Sequence, residues 1–170
     1  ADQDGIDAFD LTDWVQENGS VKGYPNADWI EPSDLWSADV DILIPAALEN
    51  QITADNANDI KAKVVVEAAN GPTTLEAEEI LSEKSVDVLP DILVNAGGVI
   101  VSYFEWLQNR SAQRWDLDDV DHRLREILWA AADSVVALQK DRESSSRRDA
   151  AYAVALQRLK TVYNQRGIFP

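Results

Sequence analysis

Between residues 63 and 89 the chain reads strand, helix, strand, and this alternation limits the possible folds more than any other feature. Lys63-Val64-Val65-Val66-Glu67 is short, continuous and β-branched, the pattern of a strand covered on both faces. The following TTLEAEEILSEKS (residues 73–85) places Thr73 and Glu76 at capping-box spacing, with Ala77, Ile80 and Leu81 on one apolar face. Val86-Asp87-Val88-Leu89 then forms another β-like run and leads into Pro90-Asp91-Ile92-Leu93-Val94. A strand, a helix and a strand of such lengths make a crossover that forces parallel pairing. An earlier run, Asp41-Ile42-Leu43-Ile44, has the same continuous apolar character as the strand at 63–67, so the expectation is an α/β fold around an open, mostly parallel sheet.

Helices flank this unit. Residues 6–18 predict a short helix ending at Gly19, and the turn-rich GSVKGYPNADWIEPSDL that follows is expected to run over the surface. Residues 99–110 open a helical last third. Residues 116–140 carry Val120, Leu124, Ile127, Leu128, Ala131, Val135 and Leu138 on a 3.6-residue rhythm, with Asp116, Asp118 and Asp119 suited to the positive end of the helix dipole. The polar linker DRESSSRRD separates this helix from a final one over 148–166.

With 170 residues and 45% apolar composition, the chain is long enough for one domain with a true core. It has neither an apolar run of membrane-spanning length nor the pattern of a secretory leader at its start, so a soluble, cytoplasmic location is expected unless an upstream piece is missing. Without cysteine there are no disulfides or thiolate sites. Methionine is also absent, and a first residue of alanine suggests a processed or incomplete chain. The 31 acidic and 15 basic residues give a net charge of -16, which argues against nucleic acid or an anionic membrane as partner. Aspartate-rich, lysine-poor acidity spread along the chain is similar to that of proteins from salt-loving microbes.

No residues assemble a catalytic set or a metal site by spacing. His122 is expected on the exposed face of its helix, and the tryptophans are expected to be partly packed in the core. The sequons at Asn18 and Asn109 are expected to carry no glycan. Arg147-Arg148-Asp149 reads as a helix-start charge pair rather than an anion site. What remains are the loops at the carboxyl ends of the strands, where open α/β sheets bind ligands: Pro45-Ala46-Ala47, Asn70-Gly71-Pro72 and Asn95-Ala96-Gly97-Gly98. Small residues let a flat ligand approach the main chain, and Asn70 and Asn95 each offer a donor and acceptors. Simple turn chemistry accounts for the same residues equally well.

At these loops the sequence resembles the glutamate dehydrogenase family, and its acidity suggests the halophilic archaeal type. The resemblance rests on DILIPAALENQIT (residues 41–53), KAKVVVEAANGPTT (61–74) and PDILVNAGGVIVSYFEWLQN (90–109), with weaker support from RRDAAYAVALQRL (147–159). It implies a two-domain, NAD- or NADP-dependent enzyme, commonly a homo-hexamer, that oxidises L-glutamate to 2-oxoglutarate and ammonia. Residues 1–115 would be a partial Rossmann-like, doubly wound dinucleotide-binding domain. Residues 116–170 would be helices that complete it and return toward the substrate domain.

The resemblance also implies roles. Ala46 and Ala47 would line the cofactor cleft, while Asn70 and Asn95 would hold the nicotinamide-riboside half. Ser102 would contact the substrate carboxylate at the start of a helix, where an anion is favoured, with Val99 against the aliphatic part. Related leucine, valine and phenylalanine dehydrogenases share the NAGG turn but generally lack the serine, so Ser102 favours a dicarboxylate. The family's glycine-rich GxGxxG turn and its catalytic lysine and aspartate are not found in this sequence. The expectation is therefore the C-terminal part of a longer enzyme, inactive alone; the alternatives are another amino-acid dehydrogenase of the leucine, valine or phenylalanine type, or a truncated, non-catalytic binding module.

Overall fold

The computed structural model describes residues 1–141 and 146–167; the centre of the expected linker, residues 142–145, lies outside the described residues. In chain order the elements are α1 (Ala8–Asn18), β1 (Ile42–Leu43), β2 (Val64–Val66), α2 (Leu75–Glu83), β3 (Asp87–Leu89), α3 (Asp91–Val94), α4 (Ala96–Ser111), α5 (Leu117–Asp141) and α6 (Arg147–Arg166). Single 3-10 turns stand at Pro32–Leu35 and Ala57–Asp59. The strands pair in the order β1-β2-β3, all parallel, with Val64 opposite Ile42 on one side and Asp87 on the other.

The expected crossover is thus β2-α2-β3, and its packing explains why it forms. Val65, Ala77 and Leu81 are fully buried, and they join Leu43, Ile52, Ile60 and Val88 in one core between sheet and helix. Burial of each larger side chain contributes about 1.5–3 kcal/mol. A smaller apolar centre forms from Val135, Ala150 and Ala151, where α5 meets α6.

Several expectations need correction. The cap of α2 is Thr74, whose hydroxyl accepts from the Ala77 N–H at 3.3 Å, and not Thr73. Thr73 is held one step earlier by a parallel bridge to Ile52, which fixes it in extended backbone and leaves its buried hydroxyl without a partner among the described residues. β1 is not covered on both faces: Ile42 and Ile44 are 55% and 57% exposed, because nothing in the described residues packs over that side. The expectation for the tryptophans holds in part: Trp36 packs against the core and Trp14 and Trp115 are half-buried, whereas Trp29, Trp106 and Trp129 are about half exposed or more.

Two boundaries also move. Residues 91–94, expected to continue the apolar run toward a strand end, form the helical turn α3. α4 begins at Ala96, so Gly97 and Gly98 belong to its first turn rather than to a loop. Among the described residues, no helix is long and apolar enough to cross a membrane.

Candidate functional site

The loops at the carboxyl ends of the three strands are tied together by main-chain and side-chain hydrogen bonds. The Pro45 carbonyl, after β1, accepts from the N–H groups of Ala68 and Ala69, after β2, at 3.0 and 2.9 Å. The Ala69 carbonyl in turn accepts from Nδ2 of Asn95 at 3.0 Å, and the same amide lies 3.4 Å from Oδ1 of Asn70. The two asparagines singled out from sequence, 25 residues apart, are therefore side by side. Asn95 ends α3 and begins α4, and its side chain makes no bond to its own helix.

Around this pair the surface is open. Asn70, Gly71, Ala46 and Ala47 are exposed, as is Gly98, where an added Cβ would find no atom within 4 Å. Gly71 adopts a left-handed conformation (φ 53°) that lets the chain turn sharply after Asn70. With Asn95 Nδ2 engaged, its Oδ1 remains as an acceptor and Nδ2 of Asn70 as a donor, the complementary pair that a carboxamide or a ribose hydroxyl requires. A groove of about 790 Å³ lies elsewhere, lined in part by Glu78, Asp87, Arg147 and Arg148, and does not include the asparagines.

Ser102 and Val99 lie on one exposed face of α4, three residues apart, and Val99 is 75% exposed. Ser102 is not at the helix start. It is the seventh residue of α4, about 9 Å along the axis from Ala96, beyond the first turn in which free N–H groups and the dipole favour an anion. The helix terminus therefore adds nothing at Ser102, and the group this side chain offers is its hydroxyl. Among the described residues that hydroxyl has no hydrogen-bond partner, whereas Ser111 and Ser134 donate to carbonyls four residues back.

Sequence reasoning missed the cluster beneath the asparagines. Glu67 is fully buried one residue past β2, and Arg148 on α6 reaches both its oxygens at 2.7 Å. The same guanidinium meets Glu78 of α2 at 2.6 Å and Asp91 of α3 at 2.7 Å. Burial opposes its charge, but the hydrogen bonds to Glu67 and Glu78 outweigh that and hold its pKa above the ordinary arginine value. The RRD motif is thus more than a helix-start pair: Ser146 caps α6, Arg147 reaches Asp87 at 2.9 Å, and Arg148 sits amid three carboxylates. The available signal was a glutamate directly following a buried strand.

His122 is exposed, 3.5 Å from Glu126. Among the described residues, no group of three or more His, Cys, Asp or Glu could hold a metal ion.

A family model described as glutamate/leucine/phenylalanine/valine dehydrogenase matches residues 1–167. Glutamate dehydrogenase A2 of Halobacterium salinarum is 46% identical over 99% of this chain, and glutamate dehydrogenase of Thermotoga maritima is 47% identical over 98%. Further relatives at 46% and 41% identity are named NADP-specific in Halobacterium salinarum and NAD-specific in Clostridioides difficile. The hetero-hexameric glutamate dehydrogenase of Thermus thermophilus superposes with a TM-score of 0.89 at 30% identity, covering 99% of this chain and 39% of that one. The chain spans 41% and 40% of the lengths of the first two relatives.

Proposed function

The chain belongs to the glutamate/leucine/phenylalanine/valine dehydrogenase family, and from that premise we propose that it forms the cofactor-side wall of a glutamate dehydrogenase. The protein carrying it would oxidise L-glutamate to 2-oxoglutarate and ammonia with NAD or NADP. The observation that carries this reading is the pairing of Asn70 and Asn95 at the carboxyl ends of β2 and β3.

The residues present fit a nicotinamide cofactor. The unfilled space over Gly98 leaves room for a flat ring against the main chain, and the two amides offer one donor and one acceptor side by side. When bound, the nicotinamide supplies the hydride acceptor. Asn70 and Asn95 orient its riboside half, and Ala46 and Ala47 leave the cleft wall low enough for it to lie close. Ser102 receives the side-chain carboxylate of glutamate through its free hydroxyl, with Val99 against the methylenes. Holding donor and acceptor carbons in register is itself a major part of such catalysis.

Residues 1–115 are assigned to the dinucleotide-binding domain and 116–170 to helices that complete it. The proton-transfer residues would come from outside this chain, which alone would not turn over. Assembly as a homo-hexamer and a cytoplasmic location belong to the same proposal.

A structure of the full-length protein with NAD(P) and glutamate tests it. The expected result is the nicotinamide riboside within hydrogen-bond distance of Asn70 and Asn95, and the side-chain carboxylate of glutamate on Ser102. A cofactor seated away from the asparagine pair would refute the assignment.

A further inference from the structure

We propose that Arg148 is a positioning residue for the asparagine pair, acting through Glu67 and Asp91; the inference rests on the nicotinamide reading above. A buried ion cluster is a poor source of stability, since well-packed apolar side chains generally serve as well or better. The bonds made by these carboxylates point to a different use.

Glu67 Oε2 accepts from the main-chain N–H of Asp91 at 2.8 Å, besides its bonds to Arg148. Asp91 Oδ2 accepts from the N–H of Gly71 at 2.8 Å, immediately after Asn70, while Oδ1 holds Arg148 at 2.7 Å. The Asp91 carbonyl accepts from the N–H of Asn95 at 2.8 Å. Asp91 therefore bridges the loop carrying Asn70 to the helical turn carrying Asn95. Arg148, 57 residues away on α6, fixes the bridge in place. The linkage runs from α6 through the two carboxylates to the main chain on either side of the amide pair.

The guanidinium suits this task because Nε, Nη1 and Nη2 each address a different carboxylate. A lysine would keep the charge but could not hold all three groups in a fixed plane. Arg148→Lys in the full-length protein therefore separates geometry from charge.

The test measures dissociation constants for NAD(P) and for the adenosine-diphosphate half of the same cofactor, which lacks the nicotinamide riboside. For Arg148→Lys the expected result is NAD(P) binding weakened about tenfold, with the fragment unchanged within about twofold. In an Asn70→Ala/Asn95→Ala background the lysine substitution should cost nothing further, because the groups it positions are gone. Asp91→Asn, which can satisfy Gly71 or Arg148 but not both, should give the same pattern and serves if Arg148→Lys does not fold. Equal weakening of cofactor and fragment, or an additive loss in the double-alanine background, would reduce the cluster to a structural role and overturn the proposal. If the double-alanine protein itself binds NAD(P) normally, the nicotinamide reading fails, and the positioning proposal falls with it.

Discussion

Ser102 is where the chemistry of one side chain is most exposed to test. Its hydroxyl is solvent-facing and unpartnered among the described residues, while Ser111 and Ser134 spend theirs on their own helix. Losing a hydrogen bond to a charged group costs about 1.5–3 kcal/mol, so Ser102→Ala is expected to raise the KM for glutamate about tenfold or more. NAD(P) affinity should stay nearly constant, because Asn70 and Asn95 are untouched. Initial-rate measurements at fixed saturating cofactor decide the matter, and an unaltered glutamate KM would remove Ser102 from the site. Asn70 and Asn95 were conspicuous from sequence, since each carries hydrogen-bonding groups beside small residues after a strand, whereas the role of Ser102 came from the family resemblance. Glu67 and Arg148 were not legible in the same way. Their contact joins positions 81 residues apart, and no local pattern encodes it.

α4 raises a different question, because its first turn contains two glycines that the chain's own packing does not require. A Cβ on Gly97 would meet Leu128 and Leu124 at ordinary distances of 3.8 and 3.9 Å, and one on Gly98 would meet nothing. Neither glycine has a positive φ. By helix propensity, Gly98→Ala should stabilise the protein by about 0.5–1 kcal/mol. If the gap serves the nicotinamide or the substrate, the same variant should bind one of them more weakly. Thermal unfolding together with NAD(P) and glutamate titrations would separate the two effects; a more stable protein with unchanged binding would mean that nothing approaches the backbone there. The helix's true start was hidden for a related reason. Asn-Ala-Gly-Gly reads as turn chemistry, and only the α3 turn before it, with Asn95 as a shared boundary, lets the helix begin at Ala96. α2 and α5 were legible because their apolar periodicity coincides with real packing against β3, α4 and α6. The exposed outer face of β1 was not, since a continuous apolar run predicts burial without saying what provides it.

For the whole molecule the dominant property is a net charge of -16 on 170 residues. The Arg148 cluster adds to it, setting three carboxylates around a single guanidinium. At low ionic strength the repulsion among surface carboxylates reaches farther, whereas in molar salt it is screened within about 3 Å. The folded form is therefore expected to depend on concentrated salt. The helices of the C-terminal part meet the sheet through this cluster and through the contacts of α6 with α3 and β3, so loosening of α6 should accompany loss of the asparagine geometry. The measurement that bears most directly on the account is the initial rate of NAD(P) reduction by the full-length protein, with glutamate and with leucine, from about 0.1 M to molar salt. The account predicts a rate that appears in molar salt, falls on dilution and is far higher with glutamate than with leucine. No glutamate-dependent rate at any salt concentration, or leucine turned over as fast as glutamate, would contradict it.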